Sequence, residues 1–415
     1  MRHSAFPGEV GREQLLSWYR AARARTRALF DLVAPEAYYD RPIALRNPIV
    51  FYEGHLPGFS VNTLVKLALK RKGVDDRLET IFARGIDPED EASVPAAEAW
   101  PSRDEVQSFA AACDALVEDA LQHAELENEA IPHLRNGEAA FTVMEHELMH
   151  QETLSYLLHQ LPYEKKRHVL LESRALSPAP RRANSPSLQG EAVSIPAGTA
   201  ILGAPRGTFG WDNEFPQHRV HVPPFTIDAL NVTNGDWLEY MDATGAKAPH
   251  FWARGEDDWC FRGMFQLQRL NLHAPVYVTH EEAAAYARWK GKRLPTEAEF
   301  DRAAYGDGDS DDPPAGNYDF ASFEPVSVGQ YPPSASGVYD LVGNGWEWTS
   351  TVFAGFAGFE PMPSYALYST DFFDGAHYVL KGASPVTPRE LVRRSFRNWF
   401  RPNYPYVYAT FRCAQ

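Results

Sequence analysis

The N-terminal half of the fold is decided by the stretch EAAFTVMEHELMHQETLSYLLHQ, residues 138–160. Its apolar residues recur at helical spacing, which predicts an amphipathic helix with a broad apolar stripe. The stripe comprises Phe141, Met144, Leu148, Leu154, Leu157 and Leu158. Such a stripe has to be covered by other elements, so we expect this helix to pack within a bundle.

Three earlier segments show similar spacing: Glu13–Val33, Pro57–Arg71 and Arg103–Leu126. Together with residues 138–160 they make four helices joined by polar connections, the pattern of a four-helix bundle. We therefore expect residues 1–171 to form an N-terminal helical domain.

The texture of the chain changes twice after this domain. Residues 172–190, ESRALSPAPRRANSPSLQG, have no apolar period and predict a linker. Residues 191–415 have short apolar runs broken by Gly, Pro, Asn and Asp, which indicates a loop-rich α+β domain. Three helices are expected in it, at Asn234–Thr244, His280–Lys290 and Glu297–Ala304, the last with Thr296 as N-cap.

Composition excludes several classes of protein. The chain has 415 residues and a formal net charge of −15, so it lacks the diffuse basic surface of a general nucleic-acid binder. Its three cysteines form no CxxC pair, which argues against a disulfide framework. The N-terminus lacks a signal-type apolar region, and no apolar run reaches the roughly 20 residues of a membrane span. We expect a cytoplasmic enzyme with no membrane partner.

A pair of histidines gives the first chemical signal. His146 and His150 are four residues apart, so on a helix both imidazoles project from one face and can converge on one ion. The letters HELMH also match the HExxH pattern of zinc proteases, which stays an alternative. Glu152 lies about 200° around the helix from His150, and His159 is more than two turns away. We therefore expect the third ligand on another helix, and His55 is the candidate.

Chance remains an alternative explanation of these histidines, because the chain contains 14 of them. On this view His55, His146 and His150 would be unrelated core or surface residues. We assign no metal-binding role to His123, His133, His159 and His168.

Both halves of the chain resemble known families. The first resembles the DinB-like four-helix domain. The second resembles the formylglycine-generating-enzyme (sulfatase-modifying-factor) domain, which has a C-type-lectin-like fold, through IPAGTAILGA (195–204), RLPTEAE (293–299), GVYDLVGNGWEWTS (337–350) and FRNWFRPNYPYVYATFRCA (396–414). The order of the two halves, with HxxxHQE in the first, resembles the hercynine-modifying iron enzymes. This group comprises ergothioneine sulfoxide synthases, ovothiol synthases and selenoneine synthase.

The resemblance implies a cofactor and an acceptor. In that family three histidines bind ferrous iron, and they correspond to His55, His146 and His150 here, which favours iron over zinc. Three histidines leave three octahedral positions for substrate and O2. The acceptor is hercynine, whose quaternary ammonium prefers an aromatic face. Asn398 and Trp399 match the family's Asn-Trp pair and are the candidates for that pocket.

The sulfoxide synthases also carry a tyrosine near the iron. The segment PMPSYALYS (361–369) offers Tyr365 and Tyr368. By the resemblance, Tyr365 would donate a proton or hydrogen atom and Tyr368 would position it. The alternative is that both are loop aromatics that pack on the domain. GNGWEWT (343–349) is assigned to the fold rather than to the chemistry.

Two departures from the sulfoxide synthases bear on the donor. Enzymes that use γ-glutamylcysteine have a Gln that helps to hold hercynine where this chain has Met149, and an Asp that helps to bind γ-glutamylcysteine where it has Phe400. Loss of these polar groups favours a donor without the amino-acid end of γ-glutamylcysteine. We predict a selenoneine synthase with a selenosugar donor; the alternative is an ergothioneine-type sulfoxide synthase that uses cysteine or γ-glutamylcysteine.

Two further classes of protein fit the sequence less well. A formylglycine-generating protein modifier needs copper-binding cysteines, and Cys260 and Cys413 are far apart in the sequence. A non-catalytic binding module would be expected to have lost at least one of the three histidines.

Overall fold

The computed structural model describes residues 10–83, 100–167, 190–308 and 312–415. The predicted linker 172–190 lies outside the described residues except for Gly190, and the predicted domain limits stay predictions. No helix of the described part combines the length and the apolar character needed to cross a bilayer.

The N-terminal half consists of helices. They are α1 (Arg12–Asp31), α2 (Ile49–Ser60, continued by a π-helical stretch Val61–Ala68), α3 (Asp76–Phe82), α4 (Arg103–His123) and α5 (Glu138–Gln160). Helices α1, α2, α4 and α5 pack around one core, and α3 covers part of α2. The bounds predicted for α5 are confirmed, and the short helix α3 was not predicted.

The start predicted for α2 is wrong. The sequence predicts a helix over Pro57–Arg71. In the structure the helix begins at Ile49 and contains Pro57. Residues Ile49–Leu56 are all buried, and this packing outweighs the helix-breaking tendency of proline. His55 therefore lies within the helix and not before it.

The C-terminal half is a mixture of short strands and helices. The helices are α6 (Asn234–Thr244), α7 (His280–Trp289) and α8 (Glu297–Tyr305). Each begins with a threonine N-cap whose hydroxyl accepts the backbone N–H of the acid three residues later. The carboxylate of that acid accepts the backbone N–H of the threonine. The pairs are Thr233 with Asp236, Thr279 with Glu282, and Thr296 with Glu299. The predicted positions of all three helices are confirmed to within a residue at each end.

The strands form four small sheets. Two are antiparallel pairs: β1 (Ala192–Ile195) with β4 (Phe225–Asp228), and β2 (Gly198–Leu202) with β3 (His218–Val222). A three-stranded sheet contains β5 (Trp252–Arg254), β6 (Trp259–Arg262) and β7 (Leu267–Arg269). The largest has the order β10 (Asn398–Phe400), β9 (Tyr378–Ala383), β8 (Gly345–Val352), β11 (Ala409–Thr410).

The GNGWEWT segment leads into β8 and builds the C-terminal core. Glu347 and Arg412 are both fully buried, and Arg412 donates to both carboxylate oxygens, at 2.8 and 2.7 Å. Trp348 Nε1 donates to Val278 O at 2.8 Å. Trp346 does more than support the fold, since its Nε1 crosses to the bundle and donates to Glu152 Oε1 at 2.7 Å.

Helix α5 belongs to both halves of the molecule. Phe141 and Leu154 face the core of the bundle, whereas Leu148 and Tyr156 pack with Trp211, Trp346 and other aromatics of the second half. The helix that carries the histidine pair is thus the contact between the two halves.

Candidate metal centre

Three histidines meet where α2 lies beside α5. His55 comes from α2, and His146 and His150 come from successive turns of α5. One ring nitrogen of each lies within 4.8 Å of those of the other two. In the part of the chain that the structure describes, this is the one cluster of at least three His, Cys, Asp or Glu side chains that could share an ion. The spacing of four residues thus gives the convergence that the sequence predicts.

The protonation of these histidines suits a metal. His55 Nδ1 lies 2.7 Å from Phe82 O, so Nδ1–H donates and the lone pair of Nε2 stays available. Burial lowers the pKa of His55 to about 4. Burial and the neighbouring histidines lower the pKa of His146 and His150 well below the usual value. Neutral imidazoles are the form that metals bind, so the donor set fits a divalent transition metal such as iron.

Aromatic rings enclose the histidines. Phe51 stacks on His55 at 4.8 Å between ring centroids, and Phe59 stacks on His146 at 3.5 Å. Both phenylalanines were missed in the sequence reading. Their positions four residues before and after His55 place all three on one face of α2, and this spacing could have identified them.

The acid of the HELMH motif is committed elsewhere. Glu147 is buried, and its Oε1 accepts from Arg23 Nη1 of α1 at 2.9 Å. Arg23 also donates to Asp114 of α4 at 2.7 Å. In a zinc protease of the HExxH type this glutamate would be the general base. Its ion pair with α1 gives it a structural role and argues against that alternative.

The two candidate tyrosines lie on one loop next to the histidines. The Tyr365 ring is 6.4 Å from that of His146 and 5.4 Å from that of Phe59. Tyr368 is buried, and its hydroxyl donates to Met149 Sδ at 3.2 Å. Burial and nearby carboxylates raise the pKa of Tyr368 well above the usual value, so it stays protonated.

Trp399 reaches the same loop from β10. Its ring stacks on Phe353 at 4.3 Å and lies edge-on to Tyr368 at 5.2 Å. Asn398 and Phe400 point to the opposite face of the strand, because side chains alternate along it. Asn398 Oδ1 accepts from Trp399 N at 2.9 Å, and Phe400 stacks on Tyr404 at 5.0 Å. The structure therefore groups Trp399 with Tyr368 and Met149, and places Phe400 against Tyr404.

A buried cluster next to His146 was also missed. Trp211 stacks on Tyr368 at 4.1 Å and donates from Nε1 to Glu145 Oε2 at 2.9 Å. Arg393 binds Glu145 at 2.7 and 3.0 Å and also Glu214. These contacts join residues up to 248 positions apart, so no local pattern in the sequence announces them.

Comparisons with known proteins identify the families to which the two halves of the chain are similar. The sulfatase-modifying factor enzyme 1-like domain matches residues 178–415, and the DinB superfamily matches residues 19–154. Hercynine oxygenase of Mycolicibacterium smegmatis is 32% identical over 321 residues, which are 66% of this chain and 70% of that protein. The chain belongs to the hercynine oxygenase family. The predicted DinB-like and sulfatase-modifying-factor-like halves are thereby confirmed, as is the α+β class.

Two further comparisons differ in how much of each chain they cover. Ergothioneine biosynthesis protein 1 of Schizosaccharomyces pombe is 30% identical over 426 residues, which cover 91% of this chain but 53% of that protein. The chain thus spans about half of that fungal relative. Among solved structures, PvdO from Pseudomonas aeruginosa covers 54% of the chain and 93% of its own, with 27% identity and a TM-score of 0.43.

Proposed function

We propose that this chain is a non-haem iron enzyme that uses O2 to form a C–Se or C–S bond on the imidazole of hercynine. The observation that carries the proposal is the convergence of three neutral histidines, His55, His146 and His150, beside the phenol of Tyr365. The names of the relatives support hercynine as the acceptor. Bound Fe(II) would supply the redox chemistry with O2 and leave open positions for substrates.

The residues around the triad divide the remaining tasks. Trp399 offers an aromatic face, which suits the trimethylammonium group of hercynine, and Asn398 supports the backbone beside it. Tyr365 would donate a proton or hydrogen atom towards the reacting centre. Tyr368, fixed between Trp211 and Met149, would hold the loop in place.

Two candidate substrate-binding positions, Met149 and Phe400, are apolar in this chain and polar in the enzymes that use γ-glutamylcysteine. The sulfur of Met149 accepts from the hydroxyl of Tyr368, and Phe400 packs on Tyr404. Neither side chain offers a hydrogen-bond donor to a carboxylate or a strong acceptor to an ammonium group of an amino-acid donor. We therefore favour a selenosugar, which makes the chain a selenoneine synthase. The second candidate, an ergothioneine-type sulfoxide synthase that uses cysteine or γ-glutamylcysteine, is favoured by the ergothioneine biosynthesis proteins among the relatives.

A protein modifier of the formylglycine-generating type fits less well. Cys260 lies on β6, opposite Ala253 and Arg269, whereas Cys413 is buried near the C-terminus. In the described ranges neither cysteine belongs to a cluster that could hold a metal.

The donor can be identified directly. Purified protein with ferrous iron, O2 and hercynine is offered a selenosugar, cysteine and γ-glutamylcysteine in separate reactions, and the products are weighed by mass spectrometry. We expect a hercynine–selenium product with the selenosugar. A sulfoxide from one of the thiols would select the second candidate, and unmodified hercynine with every donor would overturn the proposal.

The metal site is tested by substitution. His150→Ala is expected to abolish iron binding and O2 consumption, because two imidazoles alone bind the ion poorly. His123→Ala is the matched control, since His123 is exposed on α4 and should leave one iron per chain. Full iron content and activity in His150→Ala would refute the ligand assignment.

A further inference from the structure

Helix α5 carries three glutamates at intervals of seven residues, and each of them holds a different element of the C-terminal half. Seven residues are close to two helical turns, so the three side chains lie along one face. Glu138 binds the loop that bears Tyr365, Glu145 binds Arg393 and Trp211, and Glu152 binds Trp346, Ser384 and Thr387.

Glu138 is the member of this row that binds the loop of the candidate tyrosine. Its Oε1 accepts the backbone N–H of Ser364 at 2.8 Å, and Ser364 directly precedes Tyr365. The other end of the same loop is held separately, by the bond of 2.5 Å from Ser369 Oγ to Asp212 Oδ1. Between these anchors, Tyr368 N donates to Tyr365 O within the loop itself.

The histidines and Glu138 belong to one continuous helix. His146 lies eight residues after Glu138, so the spacing between the ligand and the anchor is set by the helix and does not depend on the loop. A catalytic phenol has to be held to within a fraction of an ångström to be effective. A bond from a carboxylate to the amide next to Tyr365 provides such a restraint.

We propose that Glu138 is a positioning residue, which holds Tyr365 beside His146 through the amide of Ser364. The inference rests on the proposed function for the role of Tyr365, whereas the tether itself is a property of the protein without substrate. A purely structural role for Glu138 is the competing explanation, because it stands in the first turn of α5, where an acid stabilises the helix dipole.

Two substitutions separate these explanations. Glu138→Gln removes the charge but keeps an oxygen that can accept the amide of Ser364, whereas Glu138→Ala removes both. Glu105→Ala is the matched control, since Glu105 is also in the first turn of a helix, α4, but pairs with Arg77 of the bundle. A positioning role predicts rescue by Gln, and a dipole role predicts that Gln is as harmful as Ala.

The first readout is amide hydrogen exchange of the full-length protein by mass spectrometry. In Glu138→Ala we expect residues 362–369 to exchange roughly tenfold faster or more, the factor that corresponds to loss of a charge-assisted hydrogen bond. Exchange in residues 142–160 should stay unchanged. Glu138→Gln and Glu105→Ala should both resemble the wild type. Unchanged exchange in Glu138→Ala, or equal acceleration in Glu138→Gln, would overturn the tether.

The second readout is the distribution of products. Glu138→Ala should bind iron fully. It should nevertheless shift oxidation from hercynine to the donor, because a displaced Tyr365 no longer donates towards the reacting centre. Tyr365→Phe should give the same shift. A faster-exchanging loop with an unshifted distribution would refute the positioning role. If the wild type leaves hercynine unmodified, the proposed function fails, and the exchange experiment still decides for or against the tether.

Discussion

At the scale of single residues, Phe59 stacks on one of the candidate ligands. Its ring is parallel to the imidazole of His146, with 3.5 Å between centroids. Phe59→Leu keeps an apolar side chain but loses the flat face that orients the imidazole. We expect the affinity for Fe(II) to fall by about 1 kcal/mol, or roughly fivefold. Competition with a chelator measures the affinity for Fe(II). Trp289→Leu, at an exposed aromatic on α7, is the control, and equal affinities in the two variants would contradict the prediction.

His159 gives a prediction about pH. It is buried, Nε2–H donates to Arg262 O at 2.6 Å, and Nδ1 accepts from the Tyr408 hydroxyl at 2.8 Å. Burial lowers its pKa to about 3, whereas an unfolded histidine titrates near 6.5. The folded state therefore binds fewer protons, and this contribution to stability is complete above pH 6.5 and is lost as the pH falls towards 3.

His159→Gln removes that titration while it keeps polar atoms at the site. Between pH 6.5 and 5 the free energy of unfolding of the wild type should fall more steeply than that of the variant, by up to about 1.4 kcal/mol per pH unit. Urea unfolding at several pH values measures both slopes. Parallel slopes would show that His159 is not held neutral in the folded protein.

Local spacing was enough to find some site residues and not others. The pair His146 and His150 followed from the helical repeat, and the structure places His55 beside it. Phe51 and Phe59 lie four residues before and after His55, which is helical spacing. The predicted start at Pro57 left Phe51 and His55 outside the helix, so this spacing did not identify them. The role of Glu147 could not be decided from HELMH, because its partner Arg23 lies 124 residues away.

At the scale of elements, the helix limits were predictable where the caps are local. Threonine with an acid three residues later marks the start of α6, α7 and α8, and both partners of each cap lie in a single window of sequence. The pairing of the short strands that the structure describes was not predictable, since β8 and β11 are parallel neighbours about sixty positions apart. Such pairing is decided by packing and not by local preference.

Arg393 joins helix α5 to the second half of the molecule through buried ion pairs. Its guanidinium lies between the buried carboxylates of Glu145 on α5 and Glu214. Arg393→Met leaves two buried acids without their cation, so we expect the free energy of unfolding to fall by about 3–5 kcal/mol. Arg206→Met, which removes an exposed pair with Glu360, should change it little. Denaturant unfolding of both variants measures the difference, and equal effects would mean that the buried pair contributes nothing.

At the scale of the whole molecule, the change in sequence pattern after residue 171 indicates two domains. The structure shows that α5 is shared, because Leu148 and Tyr156 are buried among aromatics of the second half. The sequence could not reveal this, since a helix that faces two cores has the same broad apolar stripe as a helix at the centre of one. Sharing places the candidate metal centre at the contact between the halves.

This shared helix implies that the two halves unfold together. Glu152 binds three donors of the second half: Trp346 Nε1, Ser384 Oγ and Thr387 Oγ1 lie 2.7, 2.6 and 2.8 Å from its carboxylate oxygens. In calorimetry we expect the wild type to show one transition, with equal calorimetric and van't Hoff enthalpies. Glu152→Ala removes the acceptor of these three donors and leaves the buried Trp346 Nε1 without its partner, at a cost of roughly 1–3 kcal/mol or more at the contact. The variant should therefore resolve into two transitions, whereas Glu164→Ala, at an exposed position, should keep one. Two transitions already in the wild type would show that α5 belongs to the bundle alone.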